Sequence, residues 1–483
     1  MKTNNPTSRR SFIKKSTLTA LGISIIPRHV MGKGFIPPSD KLNIAIVGAG
    51  GKGYSDAINV FNKGASNIAA ICDVDWNSAN RAFSFFPNAK KFKDYRILLD
   101  EVKDIDAITV STPDHTHAVI TLAAMQLNKH VYVQKPLTHN IHEARVLTEA
   151  ANKYQIVTQM GNQGASNPLM DMIKGWMDSD KIGKVSKVQI WTNRPVWPQG
   201  GAFPKPEPGK KPSEMEWDLW LGPAPEIPFT PNLHPFNWRG WWDYGTGALG
   251  DVGCHLMDIP FRMLGLQYPL DAECSVGSVY SQMWTPDFNP AGCPASSFIT
   301  LHYGPTGKNG VPLEMTWMDG GIRPSHPDII PADHDLGGAN SANGVMMIGE
   351  KGIITHNIND SSPLMPKLYL YDGTQEFGPD RLENTEPEYG HQRKWVDACK
   401  AGFGSKEHQG LTSSFDYAGP MTETVLMGNL AIRSFMLRKP NSKGQQEFFG
   451  RRKLLWDGEN MRITNLEEAN QFVGRTYRAG FEV

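Results

Sequence analysis

The chain has 483 residues, more than one ordinary core holds, so two domains or one domain with a large insertion are expected. Its 49 basic and 49 acidic side chains cancel, leaving no global field to hold nucleic acid or an anionic membrane surface; small-molecule chemistry is the better expectation. Five scattered cysteines, Cys72, Cys254, Cys274, Cys293 and Cys399, include no C-x-x-C pair, which argues against a disulfide framework or a thiolate zinc site.

The N-terminus reads Ser8-Arg9-Arg10-Ser11-Phe12-Ile13-Lys14, followed by a weakly apolar run from Thr17 to Ile26. It resembles a twin-arginine export signal, with a disordered basic tail as the alternative. Residues 1–36 are therefore read as signal and linker, which implies the twin-arginine machinery as a partner and a periplasmic or otherwise exported location. The run 17–26 is too short to span a bilayer, and no other stretch approaches the roughly 20 apolar residues required, so no stable membrane insertion is expected after export.

The next stretch, Leu42 to Gly53, reads LNIAIVGAGGKG. Ile44 to Val47 suit a buried parallel strand, and Gly48, Gly50 and Gly53, with Gly51 between them, form G-x-G-x-x-G. The glycines permit a tight turn, a close approach to a pyrophosphate and a helix packed on its strand, with the phosphates on the helix N-terminus. A second apolar strand, Asn67 to Cys72, ends in Asp73, twenty residues after Gly53. A carboxylate there can accept both ribose hydroxyls of NAD and would repel a 2′-phosphate, so NAD is expected over NADP. The alternative is that Asp73 merely caps the next helix.

Alternation continues with a helix near Asn77 to Phe85, a short strand around Lys91, a helix near Arg96 to Lys103 and a strand from Ala107 to Ser111. The turn Ser111-Thr112-Pro113-Asp114-His115-Thr116-His117 follows at the strand end where open α/β sheets bind ligands, so Thr112, Pro113 and His117 are candidate cofactor contacts. Asp114 can cap the helix running to Leu127. Then come a strand from Val131 to Val133, the tripeptide Gln134-Lys135-Pro136, a helix from Ile141 to Tyr154 and a strand from Ile156 to Met160, completing a doubly wound sheet.

The order of GAGGKG, CDVD, STPDHTH, VYVQKPL and the later GTGALGDVGCHLMD resembles the glucose-fructose oxidoreductase and inositol dehydrogenase family, Gfo/Idh/MocA. The resemblance implies a Rossmann domain, here 37–162, and a C-terminal domain, here 163–483, built on a large open mixed sheet that holds substrate and often forms a homo-oligomer interface. In that family a Glu-Lys-Pro lysine binds the reacting hydroxyl and steadies its developing charge, which transfers to Lys135 as a contact to both nicotinamide and substrate. Gln134 departs from the family pattern and changes the charge balance around that lysine.

Beyond Met160, Gly161-Asn162-Gln163-Gly164 leads to a helix near Leu169 to Met177 and a strand from Val185 to Thr192; Gln163 is a candidate substrate contact. From Trp191 to Trp242 the composition shifts: seven of the thirteen tryptophans lie here, and eleven of the 35 prolines fall between Pro195 and Pro235. So many prolines rule out a long helix or central strand, leaving a rigid, irregular excursion over 191–242. Its rings can stack on sugars or simply pack the loop; Trp238 and Arg239 are the substrate candidates.

Glycine-rich sequence from Gly245 then feeds a helix carrying Asp251 and His255, four residues apart and so on one face. Histidine suits proton exchange with an alcohol, and a carboxylate beside it can bind a hydroxyl or hold the imidazolium; a core histidine is the plain alternative. The family resemblance implies that both bind substrate, with His255 as acid/base. Strands follow at Glu273–Tyr280, Ser297–Tyr303, Leu313–Met318, Val345–Ile348, Ile353–Asn357 and Lys367–Tyr371, then helices at His391–Ala401 and Thr422–Leu437, the second returning to the first domain. His115, His117, His130, His139 and His142 crowd one region without metal-ligand spacing, so no metal is expected.

These readings converge on an exported NAD-dependent oxidoreductase acting on a secondary alcohol of a sugar, glycoside or cyclitol, with Lys135, Asp251 and His255 as catalytic candidates. Free NAD should be scarce outside the cytoplasm, so a tightly held, recycled cofactor is expected. The rivals are an NAD-dependent glycosidase working through a transient keto-sugar and a non-catalytic sugar-binding protein that retains NAD.

Overall fold

The computed structural model describes residues 41–334, 336, 343–357, 364–379 and 386–483. The segment read as a twin-arginine signal lies outside the described residues. The first half builds β1 (Asn43–Val47), α1 (Gly51–Phe61), β2 (Asn67–Cys72), α2 (Trp76–Phe85), β3 (Lys90–Phe92), α3 (Tyr95–Glu101), β4 (Ala107–Val110), α4 (His117–Gln126), β5 (His130–Gln134), α5 (Ile141–Lys153) and β6 (Thr158–Gly161). The strands form one parallel sheet in the order β3-β2-β1-β4-β5-β6, the doubly wound order whose direction reverses between β1 and β4. Apolar runs such as Ile44–Val47 are buried because helices cover both faces of the sheet.

The chain continues through α6 (Leu169–Asp178), β7 (Val185–Trp191), α7 (Trp217–Leu221), α8 (Gly247–Leu256), α9 (Asp258–Leu264), β8 (Asp271–Val276), β9 (Ser297–Tyr303), β10 (Leu313–Met318), β11 (Gly344–Gly349), β12 (Gly352–Asn357), β13 (Leu364–Leu370) and β14 (Gln375–Phe377). Then come α10 (His391–Ala401), α11 (Lys406–Gln409), α12 (Phe415–Phe435), β15 (Arg438–Pro440), β16 (Gln446–Phe448), β17 (Leu454–Asp457) and β18 (Arg462–Ile463). Ten strands make a mixed sheet in the order β14-β13-β12-β11-β7-β10-β9-β8-β17-β18. Among the described residues, β7 with β10 is its one parallel pairing.

The long return helix starts at Phe415 rather than Thr422 and runs through Pro420. A proline inside a helix costs about 3 kcal/mol. Burial of Phe415, Ala418, Met421, Val425 and Leu426 against α5 and α8 offsets that cost, which propensity alone does not foresee. The same helix is tied to the parallel-sheet half by Arg145 of α5, whose Nε and Nη2 each donate to Glu423 at 2.9 Å. Among the described residues, no helix is long and apolar enough to cross a membrane.

The tryptophan- and proline-rich excursion holds only α7 and short turns, and its rings make their own core. Trp217 and Trp220 stack at 4.5 Å with 7° between planes, and Trp238, Trp241 and Tyr244 join them. This small core docks on the loop after β2, where Glu216 N donates to Val74 O at 2.8 Å and His234 Nε2 lies 2.8 Å from Asp75 Oδ2.

Candidate functional site

The glycine-rich turn sits where the strand order reverses. Gly48 has φ +78°, and a Cβ there would lie 2.6 Å from the Ser111 carbonyl oxygen, so only glycine lets β1 turn beside β4. A Cβ on Gly53 would collide with the Gly48 carbonyl. Gly50 is the N-cap of α1, and no side chain caps that end among the described residues, as an anion site at a helix N-terminus requires. Gly51, at φ +47°, has no atom within 4 Å of where its Cβ would be.

Asp73 closes the other side of this cradle. Its Oδ2 accepts from Ala49 N at 2.7 Å and Gly50 N at 3.3 Å, and its Oδ1 from Asp75 N at 2.9 Å. Burial pushes its carboxyl above the usual range, against the pull of those N–H groups. Asp75, which accepts from Asn77 N at 3.0 Å, caps α2, so Asp73 is not the cap. A dinucleotide fits these residues: glycines where side chains would fill the cradle, an uncapped helix end for the pyrophosphate and a carboxylate for the ribose.

The β4 turn departs from its expected roles. His117 is 1% exposed; its Nδ1 lies 2.8 Å from Pro136 O and its Nε2 2.9 Å from Thr112 O. Both ring nitrogens thus face backbone carbonyls, and the residue expected as a direct cofactor contact instead staples the Thr112–Pro113 turn to the Lys135–Pro136 segment. Asp114 does not cap α4: it accepts from Thr246 Oγ1 at 2.6 Å, tying this turn to the start of α8. Thr112 Oγ1 accepts from Thr116 Oγ1 at 2.8 Å.

The end of β5 delivers Lys135 to α8. Its Nζ donates to Asp251 Oδ1 at 2.8 Å and also to the Asp251 main-chain carbonyl. Arg239 Nε donates to the same Oδ1 at 3.1 Å. Burial alone would raise the Asp251 carboxyl, but the charges of Lys135 and Arg239 win and hold it well below the usual carboxylate range.

One helical turn on, His255 Nδ1 lies 2.7 Å from Asn162 Oδ1. With that oxygen accepting, Nδ1 carries the proton and Nε2 the lone pair. Burial, then the nearby Lys135 charge, lower the imidazole pKa to about 3, so the ring is neutral near pH 7. Gln163 Nε2 donates to the Tyr132 hydroxyl at 3.0 Å. Trp238 is 4% exposed and its Nε1 donates to Pro235 O at 3.1 Å, so it offers no open face to a sugar. Its role is support: the Arg239 guanidinium stacks 4.2 Å from its ring.

Two groups escaped the sequence reading. Asn162 lies in the GNQG turn that followed the last parallel strand, but nothing local marks its amide as the partner of His255. Asp56 sits unremarked in α1, yet four donors converge on it. The histidine cluster is dispersed by its partners: His115 Nε2 lies 2.9 Å from Trp220 O, while His130 Nδ1 accepts from Val157 N at 3.1 Å. Among the described residues no group of three or more His, Cys, Asp or Glu side chains could hold a metal.

Residues 42–162 match the Gfo/Idh/MocA family model described as the oxidoreductase family's NAD-binding Rossmann fold, and residues 175–277 match the family's C-terminal alpha/beta domain. A levoglucosan dehydrogenase from Pseudarthrobacter phenanthrenivorans is 24% identical over 288 residues, 57% of this chain and 64% of that protein. An alpha-N-acetylgalactosaminidase from Shewanella oneidensis is 26% identical over 172 residues, 30% of this chain and 37% of that protein. The match thus spans less than two thirds of either relative's length. The crystal structure of an inositol dehydrogenase homolog from Azotobacter vinelandii, complexed with NADH and myo-inositol, superposes with TM-score 0.53 at 16% identity, covering 85% of this chain and 98% of that one. With its parallel dinucleotide-type sheet, its large mixed sheet and matches to both family domains, the chain belongs to the Gfo/Idh/MocA oxidoreductase family.

Proposed function

We propose that this protein is an exported, NAD-dependent oxidoreductase that moves hydride between a nicotinamide and a secondary alcohol of a sugar, glycoside or cyclitol. The observation that carries the reading is the meeting of Lys135, from the end of a nucleotide-sheet strand, with Asp251 on the helix that also bears His255. Gly48, Gly50, Gly51, Gly53 and Asp73 would hold NAD, which when bound supplies the hydride acceptor or donor. The Lys135 ammonium, oriented by Asp251 and Arg239, would hold the reacting oxygen and steady the charge it gains as its proton leaves. His255, neutral and protonated on Nδ1, would take that proton on Nε2 during oxidation and return it during reduction. Gln163 and Arg239 would line the substrate side.

Export rests on the Ser8-Arg9-Arg10-Ser11-Phe12 segment, and with it the expectation that NAD stays bound and is recycled by a second substrate. The family resemblance underlies the expectation of a homo-oligomer, which light scattering on the purified protein reads directly. Extracting nucleotide from purified mature protein, then screening sugars, glycosides and keto-sugars while following nicotinamide absorbance, tests the whole reading. Bound NAD and a substrate-dependent absorbance change are expected; an empty cleft with no such change overturns it. The similarity to an alpha-N-acetylgalactosaminidase favours a second reading, a glycosidase that oxidises and re-reduces its substrate. Release of sugar from a glycoside without net change in NADH would select it.

A further inference from the structure

Asp56 is fully buried, 0% exposed, on the inner face of α1. A carboxylate withdrawn from water persists only when its oxygens are satisfied, and here both are. Oδ1 accepts from Lys52 Nζ at 2.5 Å and Gln392 Nε2 at 2.9 Å. Oδ2 accepts from Ser111 Oγ at 2.9 Å and Gln134 Nε2 at 2.8 Å. These donors come from the cofactor helix, the end of β4, the end of β5 and α10. Gln134 immediately precedes Lys135, and its carboxamide is pressed against Gly161, where a Cβ would lie 2.6 Å from Nε2. An amide at 134 can donate to Asp56; an ionised carboxylate at 134 cannot.

We propose that Asp56 is the positioning residue for Lys135. Through Gln134 it sets the height of the β5 end that presents the lysine, and through Lys52 and Ser111 it ties that end to the glycine-rich turn and the β4 turn. The cofactor cradle and the lysine are thereby one rigid piece. The inference rests on the proposed hydride-transfer role of Lys135, and it gives the departure at Gln134 a cause: position 134 must donate because position 56 is the acid.

The test is a four-member cycle of wild type, Gln134→Glu, Asp56→Asn and the double variant, made in the full mature protein. Two readouts are followed across pH 5 to 9: steady-state turnover on whichever sugar the screen identifies, and the rate at which Lys135 is acylated by acetic anhydride, read by peptide mass spectrometry. Gln134→Glu sets two carboxylates face to face, with Lys52, Glu388, Tyr132 and His391 the other titratable groups nearby. Turnover should fall roughly 10- to 100-fold at pH 8, mainly in kcat, and recover toward pH 5 as the pair takes up one proton. The Lys135 acylation rate should change at least about threefold, in step with the lost coupling. The double variant restores one acid facing one amide, so both readouts should return to within about threefold of wild type at each pH, with the added pH dependence of Gln134→Glu gone.

Loss in the double variant equal to the product of the single losses, in both readouts, overturns the proposal. If Gln134→Glu does not fold, Gln134→Met removes the donor without adding charge and should lower kcat in the same direction; unchanged kcat and unchanged Lys135 acylation in that variant also overturn it. A wild type that turns over no sugar while the acylation cycle shows restoration would sink the functional reading and leave the positioning intact. Turnover without restoration sinks the positioning alone.

Discussion

Asp56, fully buried, and Asp251, with 13% of its side chain exposed, both bear on Lys135, one through Gln134 and one directly, and they are stabilised by different means. Asp251 is held by two cations, Lys135 and Arg239, at 2.8 and 3.1 Å. Asp56 is held by three neutral donors and by Lys52, a cation it shares with Glu388 at 2.9 Å. A pair of charges can exchange partners when a polar substrate enters, because a hydroxyl or alkoxide can take over part of Asp251's hold on Lys135. The Asp56 net, three neutral donors and one cation, is closed off from any entering substrate by full burial and keeps its shape. On the proposed reading, one acid belongs to the chemistry and the other to the frame.

The contrast is broken most severely at the shared lysine. Lys135→Met should lower turnover by about a thousandfold, since the cation facing the reacting oxygen is gone, while leaving the dinucleotide cradle able to bind NAD. Steady-state kinetics alongside calorimetric NAD titration separates the two; parallel loss of both would mean that the lysine serves binding alone. His255→Ala should cost about a hundredfold in kcat. Because its imidazole is depressed to about 3, the acid limb of the wild-type kcat/KM profile for oxidation should lie well below pH 6. A limb near pH 6.5 would show a solvated, ordinary histidine.

A smaller change comes from Arg239→Ala, which leaves Asp251 with Lys135 as its cation and should reduce kcat/KM by about tenfold, mostly through KM. The histidines sharpen the picture from the side of stability. Burial lowers His115, His255 and His356 to about 3 and His391 to about 4. Unfolded histidines titrate near 6.5, so between that pH and about 4 the unfolded chain binds more protons than the native one. Stability should therefore hold above pH 6.5 and fall steadily as the medium is acidified toward pH 4, which thermal melting across that window measures. The slightest effect on turnover is expected for Trp238→Phe, which keeps an aromatic ring beside Arg239 but loses the bond to Pro235 O and some buried packing: about 1–3 kcal/mol of stability and less than a threefold change in turnover.

Much of this molecule is written locally. The parallel sheet follows from short apolar runs spaced by helices, and Gly53 is a glycine because of a clash with the Gly48 carbonyl within the same turn, whereas the clash at Gly48 comes from Ser111 at the end of β4. Asp251 and His255 share a helical face by simple periodicity. Pro420 shows where local signals stop, since a helix carried past a proline by burial cannot be read from propensity. The tryptophan-rich stretch was readable as irregular, yet not as a small core docked beside Asp75, because which ring meets which depends on how prolines turn the chain. His117 was found as a conspicuous polar residue in a binding turn; that both its nitrogens face carbonyls depends on Pro136, a residue of another strand end.

What the amino-acid order determined by itself was therefore the short-range part: strands and helices of the nucleotide half, the glycine-rich turn, the acid at the end of β2, and the two-residue spacing on α8. Tertiary structure alone decided the long-range partners of the two acids. Asp56 meets Gln392 across 336 positions, and Lys135 meets Asp251 across 116. Such contacts leave no periodic trace in the chain, because a buried carboxylate demands only that some donor be near, and the fold chooses which.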